Sequence, residues 1–224
     1  MRQLHISIKR RLARVDFSCR VTFCSPMVRR NPRLGGIMLG RSAAVLFLAI
    51  STFGGLVNAQ PSITNKTVFY PVSGSSAAQL RSAMTRGGPH AGGAKAYGLT
   101  QLRPDFNVGN CQASQFRLTL NFTTQLPRLR SASGLSSSDM ATWNNFVSMA
   151  SRHEQVHRSI FQSCFSSVQA KVRATGLNSC SGLKSAAQRF WSAAAPDCRR
   201  KNAAFDAAEK QRLANHPFFR VAKN

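Results

Sequence analysis

Two histidines and one glutamate in the middle of the chain have the spacing of a metal-binding helix. Residues 152–158 read Arg-His-Glu-Gln-Val-His-Arg, so His153, Glu154 and His157 form the pattern His-Glu-x-x-His. Residues four apart on an α-helix share a face, with Cβ atoms ~5–6 Å apart, so both imidazoles can reach one metal ion. The glutamate lies to the side, where it can act as a base on a metal-bound water. The pattern predicts one zinc ion held by His153 and His157, with Glu154 as the catalytic residue.

Apolar residues around this motif repeat with the period of an amphipathic helix. Steps of three or four residues join Trp143, Phe146, Ala150, His153, His157, Ile160, Cys164 and Val168. We therefore expect a helix from about 139 to 175, capped by Gly176, with both histidines on its buried side. Because a typical helix has only ~11–12 residues, a kink or a 3₁₀ break is expected within it. Two core histidines satisfied by hydrogen bonds are the alternative, but the intervening glutamate favours the metal site.

Catalytic zinc commonly has three protein ligands and a water molecule whose pKa falls to ~7 on the metal. The third ligand must therefore come from outside the motif. A second helical pattern runs from about 181 to 194, is expected to break at Pro196, and resumes from 199 to about 213. The short turn at 177–179 predicts that the two long helices are antiparallel, with 153–157 opposite 199–203 to within a few residues.

Four residues are candidates for that third ligand. Asp206 and Glu209 are within reach across the predicted hairpin, although either could instead be a surface carboxylate that balances nearby Arg and Lys side chains. His216 follows the end of the second helix and could equally be a tail histidine. His90, in a glycine-rich loop, is a weaker candidate. The residues alone leave the choice open.

Residues 38–59 have the layout of a secretory signal peptide. An uncharged apolar run of 15 residues (43–57) follows Arg41, and the segment ends in Val57-Asn58-Ala59, a small-x-small cleavage site. This run is shorter than the ~20 apolar residues that a membrane-spanning helix needs, which favours a cleaved signal peptide. An uncleaved N-terminal membrane anchor is the alternative. We expect the protein to be exported, either to the periplasm or into the medium.

Residues 1–37 are unusual in front of such a signal. They carry nine Lys and Arg residues, whereas Met38 would begin a signal peptide of conventional length. We interpret 1–37 as a mis-assigned start or a basic extension. The remaining residues, 60–224, are expected to form a single metalloprotease-like domain, because their number suits one hydrophobic core.

The predicted mature chain is strongly basic. Residues 60–224 contain 21 Lys and Arg and 6 Asp and Glu, a net charge of +15. Such a charge attracts polyanions, and anionic envelope polymers are the expected partners in an exported protein. No motif that reads DNA or RNA accompanies the charge, so no specific nucleic-acid partner is expected.

Four cysteines remain after position 59. They are Cys111, Cys164, Cys180 and Cys198. An even number in an exported chain predicts two disulfides, for which the sequence allows three pairings. None of the four forms a Cys-x-x-Cys pair, which argues against a structural zinc cluster.

The first half of the predicted domain has the pattern of strands. Residues 67–72 and 97–108 are predicted strands, and 116–123 alternates cleanly between apolar and polar side chains until Leu126-Pro127 ends it. A short helix is predicted over 77–86. The chain is therefore expected to be α+β: a small antiparallel sheet with a short helix, followed by a long antiparallel helical hairpin that carries the His-Glu-x-x-His motif.

Taken together, these segments resemble a bacterial family catalogued as a domain of unknown function and described as predicted secreted zinc-dependent proteases. The matching residues cover nearly all of 66–210 and occur in family order. They are 70–84, Gly88-Pro89, Gly98-Leu99-Thr100, Cys111, Leu126-Pro127, Trp143-Asn144-Asn145-Phe146, His153-Glu154 with His157-Arg158, Cys180 and Phe205-Asp206. The chain departs from the family at Val156, where a glycine is usual, and at Glu209 and Gln211, where members commonly carry threonine and histidine.

The resemblance implies a disulfide between Cys111 and Cys180, which leaves Cys164 to pair with Cys198. It ranks Asp206 first as the third metal ligand, followed by His216 and then Glu209. The function that it implies is an exported zinc-dependent peptidase or amidase, cutting protein or cell-wall peptide with a zinc-activated water. A non-catalytic envelope binding module with a degenerate metal site and a basic polyanion-binding protein are the alternatives.

Overall fold

A small mixed sheet and two long helices make up most of the fold. The computed structural model describes residues 17–18, 60–91 and 94–220. Its strands are β1 (Phe17–Ser18), β2 (Ser62–Val72), β3 (His90–Ala91), β4 (Ala94–Lys95), β5 (Leu99–Asn107) and β6 (Arg117–Leu129). Its helices are α1 (Ala77–Gly87), α2 (Ser137–Phe165), α3 (Val168–Arg173), α4 (Cys180–Asn215) and α5 (Pro217–Arg220). The α+β class is confirmed. The predicted signal peptide and nearly all of the basic extension lie outside the described residues.

The main sheet has the strand order β1-β5-β6-β2, whereas β3 and β4 form a separate two-stranded pair. Strand β5 runs antiparallel to β6, but β2 runs parallel to β6 along its whole length, with Ser62 opposite Thr119 and Val72 opposite Leu129. The expectation of an entirely antiparallel sheet was therefore wrong for β2. Parallel neighbours need a long crossover connection, and the chain between β2 and β6 supplies one that includes α1 and β5.

Strand β6 continues through Pro127, where the sequence pattern predicted its end. The last residue of β6 that pairs with β5 is Gln125, opposite Leu99. Beyond it, Arg130 N–H donates to Val72 O, so residues of even number in this part of β6 direct their backbone groups towards β2. Pro127 consequently faces the side past the end of β5, where its missing N–H removes no ladder hydrogen bond.

The helix that carries the motif forms as the periodicity predicts. Ser136 caps α2 by accepting a hydrogen bond from Asp139 N–H, and its hydroxyl donates to the Asp139 carboxylate. Helix α2 ends at Phe165, and two residues separate it from the start of α3 at Val168, which confirms the expected interruption. Gly176 then adopts φ +64° in the turn that leads to α4.

Helix α4 runs without a break through Pro196, contrary to the sequence-based expectation. A proline inside a helix removes one hydrogen bond and costs ~3 kcal/mol or more. Here Pro196 is exposed, whereas Trp191, Ala195, Cys198 and Asn202 on both sides of it are buried. Tertiary packing of those residues offsets the local cost.

The two long helices are antiparallel, as predicted. Three contacts define their register: the Cys164–Cys198 disulfide, the hydrogen bond between His157 and Asn202, and the contact between His153 and Asp206. The second disulfide joins Cys111 to Cys180, so both implied pairings are confirmed. Within the described residues, no helix has both the length and the apolar character to cross a membrane.

The buried core consists mainly of two apolar clusters that share α2 and β6. One contains Phe161 and Phe165 of α2, and the other contains Phe146 and Met149 of the same helix. Between them lies a belt of buried polar residues: Thr100, Thr124, His153, Glu154, His157 and Asn202. The motif thus occupies the boundary between two packed apolar regions.

Removal of either disulfide, as Cys111→Ala with Cys180→Ala or Cys164→Ala with Cys198→Ala, is expected to lower the free energy of unfolding by ~2–5 kcal/mol, since each bridge closes a long loop in the unfolded chain. Urea denaturation measures the loss, and peptide mapping without reduction identifies the pairs. Four free thiols in the purified protein would contradict both this prediction and the exported location.

Candidate metal centre

Three side-chain atoms converge in the polar belt between α2 and α4. His153 Nε2 lies 3.0 Å from His157 Nε2, and Asp206 Oδ1 lies 3.3 Å from the first and 2.9 Å from the second. The two histidines are 4% and 1% exposed, and the Asp206 side chain is 12% exposed. Among the described residues, these three form the only group of His, Cys, Asp or Glu side chains whose donor atoms can meet at one ion.

The local structure explains this convergence. His153 and His157 are one helical turn apart on the buried side of α2, so their rings meet edge to face, with centroids 4.7 Å apart and an interplanar angle of 79°. Asp206 comes from α4, whose antiparallel register places it beside the first turn of the motif. The sequence placed 199–203 opposite 153–157, and the observed partners are Asn202 and Asp206. The difference is within the few residues that the prediction allowed.

The separations between the three donors fit a tetrahedral divalent ion. Zinc binds histidine nitrogen and carboxylate oxygen at ~2.0–2.2 Å, which places ligand atoms of a tetrahedral site about 3.3 Å from one another. The observed sides of the triangle are 2.9–3.3 Å. Two nitrogens and one oxygen is also a donor set that zinc accepts. The residues present therefore fit a bound zinc ion, and other divalent metals accept the same ligands.

Asn202 fixes the orientation of the second histidine. Its Nδ2 donates to the carbonyl of Cys198, 2.9 Å away, which leaves Oδ1 to face His157 Nδ1 at 2.7 Å. The oxygen can only accept a hydrogen bond, so His157 Nδ1 must carry the proton. When the ring is neutral, the lone pair of His157 is then on Nε2, the atom that faces His153 and Asp206. Supporting hydrogen bonds of this kind select the metal-binding tautomer.

The charges within the cluster favour a cation. Burial opposes a charge on His157, but its hydrogen bond to Asp206 and the negative charge of Glu154 outweigh that effect and raise the pKa of His157. Burial acts against ionisation of Asp206 as well, yet hydrogen bonds from His153 and His157 lower the pKa of its carboxyl group. The site therefore stabilises a carboxylate next to a positive charge, which either a proton or a metal ion can supply.

Glu154 lies beside the cluster and points towards the sheet. It is 3% exposed, and burial raises the pKa of its carboxyl group despite the opposing effects of His157, Thr100 and His153. Its Oε2 has no hydrogen-bond partner among the described residues. A Cβ atom added at Gly98 would lie 2.7 Å from Glu154 Oε1, so the carboxylate occupies the space that the missing side chain leaves. A carboxylate in this state can take up a proton.

Phe205 covers both histidines. Its ring centroid lies 4.7 Å from that of His153 and 5.0 Å from that of His157. Together with the burial of the motif, this leaves both imidazoles in contact with an aromatic ring of α4.

The other predicted ligands do not join the cluster. Glu209 Oε2 lies 3.9 Å from His153 Nδ1, on the side of the ring away from Asp206, and forms an ion pair with Arg212. His216 packs against Phe146 and accepts a hydrogen bond from Phe218 N–H. His90 is exposed in β3. The structure thus brings Asp206 to the histidines, and whether it binds a metal there stays a prediction.

Sequence reasoning missed Asn202, Gly98 and Phe205 as parts of the site. Asn202 lies four residues before Asp206 and four after Cys198 on α4, so the helical spacing carried a usable signal. Gly98 belongs to a matching segment of the resembled family, but its contact with Glu154 depends on how the sheet packs against α2. No local pattern contains that information.

A family model described as "Bacterial protein of unknown function (DUF922)" matches residues 67–212. The match includes the two long helices up to residue 212, most of the sheet and all three residues of the cluster. No curated protein and no solved structure matches the chain. The match assigns no activity.

Replacement of Gly98 by alanine tests the position of the Glu154 carboxylate. The new methyl group would overlap Glu154 Oε1, so we expect a loss of ~1–3 kcal/mol in the free energy of unfolding. Gly87→Ala, at an open position at the end of α1, is the matched control and should be neutral or slightly stabilising. Adding Glu154→Ala to the Gly98 variant should recover much of the loss. If the two glycine variants unfold at the same urea concentration, the carboxylate does not lie where we describe it.

Proposed function

This chain belongs to the DUF922 family of bacterial proteins, and we propose that it is an exported zinc-dependent peptidase or amidase. Its metal ligands are His153, His157 and Asp206. The observation that carries the proposal is the convergence of these three donors, one from another helix, beside the buried carboxylate of Glu154. Substrates are protein or cell-wall peptide, as expected for an exported hydrolase.

The number of protein donors favours a catalytic role over a structural one. Structural zinc sites are usually closed by four protein ligands, whereas catalytic sites use three and keep one position open. In the described part of the chain, the cluster has three members, because Glu209 lies outside it. A bound zinc ion supplies Lewis acidity and lowers the pKa of a coordinated water.

The residues of the chain divide the remaining work. Glu154 accepts a proton from the attacking water and delivers it to the leaving amine, a role for which burial tunes the pKa of its carboxyl group upwards. Asn202 keeps His157 in the tautomer that binds metal through Nε2. The low dielectric of the surrounding apolar clusters strengthens each of these electrostatic interactions.

Burial of the cluster favours a second candidate function. With His153, Glu154 and His157 at most 4% exposed and Phe205 against both rings, the site is closed to a large substrate in this conformation. A non-catalytic envelope binding module that keeps a metal for stability would have such a closed site. For the peptidase, Phe205 must move aside when substrate binds.

Metal analysis tests the ligand set. After dialysis against buffer with trace zinc, the wild type should retain one zinc ion per chain. His153→Ala and Asp206→Ala should each weaken binding by more than the ~10–100-fold typical of losing a supporting hydrogen bond. Glu209→Ala and His216→Ala are the matched controls and should keep the wild-type affinity. Equal zinc content in the Asp206 and wild-type proteins would remove Asp206 from the ligand set.

The catalytic role of Glu154 is tested by Glu154→Gln, which keeps the shape of the side chain but cannot accept a proton. We expect turnover of an internally quenched peptide library, or of peptidoglycan fragments, to fall by ~10²–10⁴-fold while zinc content stays unchanged. Glu209→Gln, near the cluster but outside it, should retain activity. Full zinc occupancy in a wild-type protein that cuts neither substrate would instead support the binding module.

A further inference from the structure

Strand β2 lies at one edge of the main sheet. It is 11 residues long, and among the described residues only β6 pairs with it. Because Arg130 N–H donates to Val72 O, Val72 and every second residue before it direct their backbone groups towards β6. The alternate residues, Ile63 to Pro71, direct theirs outwards. Pro71, which has no N–H to offer, belongs to this outward set, as expected for a proline in an edge strand.

The same outward-facing residues direct their side chains towards α2. Thr67 and Phe69 line a groove with a volume of about 680 Å³ between β2, β6 and α2. Asn65 accepts a hydrogen bond from Arg158 of α2. Ile63 and Phe69 are 46% and 52% exposed, which is high for large apolar side chains in a strand. The face of β2 that is turned towards α2 is therefore only partly covered by that helix.

The groove and the metal centre lie on different sides of α2. Ser151 and Gln155 line the groove, and at 3.6 residues per turn each is about 160° around the helix from His153. The groove is thus a separate surface and not the approach to the metal.

The charge of the groove is entirely positive. Arg128 lies over the ring of Phe69 at 5.5 Å, and Arg152 lines the helical side. Arg158, which is not part of the lining, donates a hydrogen bond to Asn65 of the same strand. None of the lining residues is acidic. A ligand with carboxylates at regular spacing would complement these three arginines.

We propose that the outer edge of β2 binds an acidic, extended polypeptide segment of another protein by strand addition. The free edge offers alternating N–H and C=O groups at strand spacing, which an extended polypeptide can pair in full. Side chains on one face of the added strand contact Ile63 and Phe69, and its carboxylates meet the arginines. From Ile63 to Phe69 the edge spans roughly 20 Å, enough for a segment of about six to eight residues.

A second copy of the chain is the less suitable occupant. Pairing β2 with its symmetry mate would bring two sets of groove arginines together, in a protein whose residues 60–224 carry a net charge of +15. The proposal is independent of the metal, because none of its contacts involves the cluster.

Binding of a dye-labelled ten-residue peptide that alternates glutamate and valine, followed by fluorescence anisotropy, tests the proposal. Thr67→Pro removes one outward N–H without touching the β6 ladder and should weaken binding about tenfold. Thr67→Val, the matched control, keeps the N–H and should bind within about twofold of wild type. Equal binding by the two variants would overturn strand addition.

Further variants and peptides separate the contribution of charge to peptide binding from that of the backbone hydrogen bonds. Arg128→Glu with Arg152→Glu should weaken binding at least about tenfold at low salt, whereas Lys184→Glu, on the exposed face of α4, should not. Peptides N-methylated at alternate positions should fall into two classes, since only one set of N–H groups faces β2.

The proposal fails if both methylated sets bind equally or if heparin displaces the peptide from wild type and the Thr67→Pro variant equally well. It also fails if sedimentation shows a dimer that Thr67→Pro dissociates. Zinc-free and zinc-loaded protein should bind alike, so the outcome is independent of the catalytic proposal.

Discussion

The structure depends on ionisable groups that are buried at the interface between α2 and α4. Burying an isolated charge costs several kcal/mol, and buried charges persist only when they are paired, hydrogen-bonded or bound to metal. Here two imidazoles and a carboxylate meet within 3.3 Å. A second carboxylate, whose Oε2 has no hydrogen-bond partner in the part of the chain that the structure describes, lies beside them. An ion pair between protonated His157 and the Asp206 carboxylate balances part of this charge, and a divalent ion would balance more of it.

The rest of the fold keeps these two helices in register. Cys164 lies two helical turns after His157 on α2, and its disulfide partner Cys198 lies one turn before Asn202 on α4. Asn202 connects the two, since it donates to the Cys198 carbonyl and faces the ring of His157. Apolar clusters on each side prevent the helices from sliding, because any shift would open cavities. A covalent bond, a polar contact and packing thus determine the same alignment.

Features of the fold and of the site could be predicted from the sequence where they depend on residues close together in the chain. The motif, the amphipathic period of α2 and the antiparallel hairpin follow from helical geometry, and they were predicted correctly. The direction of β2 was not, because pairing between strands 57 residues apart leaves no periodic trace in the sequence. Pro127 and Pro196 were both interpreted as breaks. In each case the tertiary environment determines whether the element continues. The position of the missing N–H of Pro127 lies past the end of β5, and the cost of Pro196 in α4 is offset by the packing of its buried neighbours.

The distribution of charge also links the metal centre to the rest of the molecule. The chain from residue 60 onwards has only six acidic residues, and three of them, Glu154, Asp206 and Glu209, lie at or next to the cluster. At physiological ionic strength, charges on the surface are screened beyond ~8 Å, whereas buried charges close to one another are screened much less. The distant arginines therefore repel an approaching cation weakly, and the local carboxylates attract it strongly. A protein with a large positive charge can in this way keep negative charge in its interior, where it would favour a cation, while its surface, including the β2 groove, stays positive.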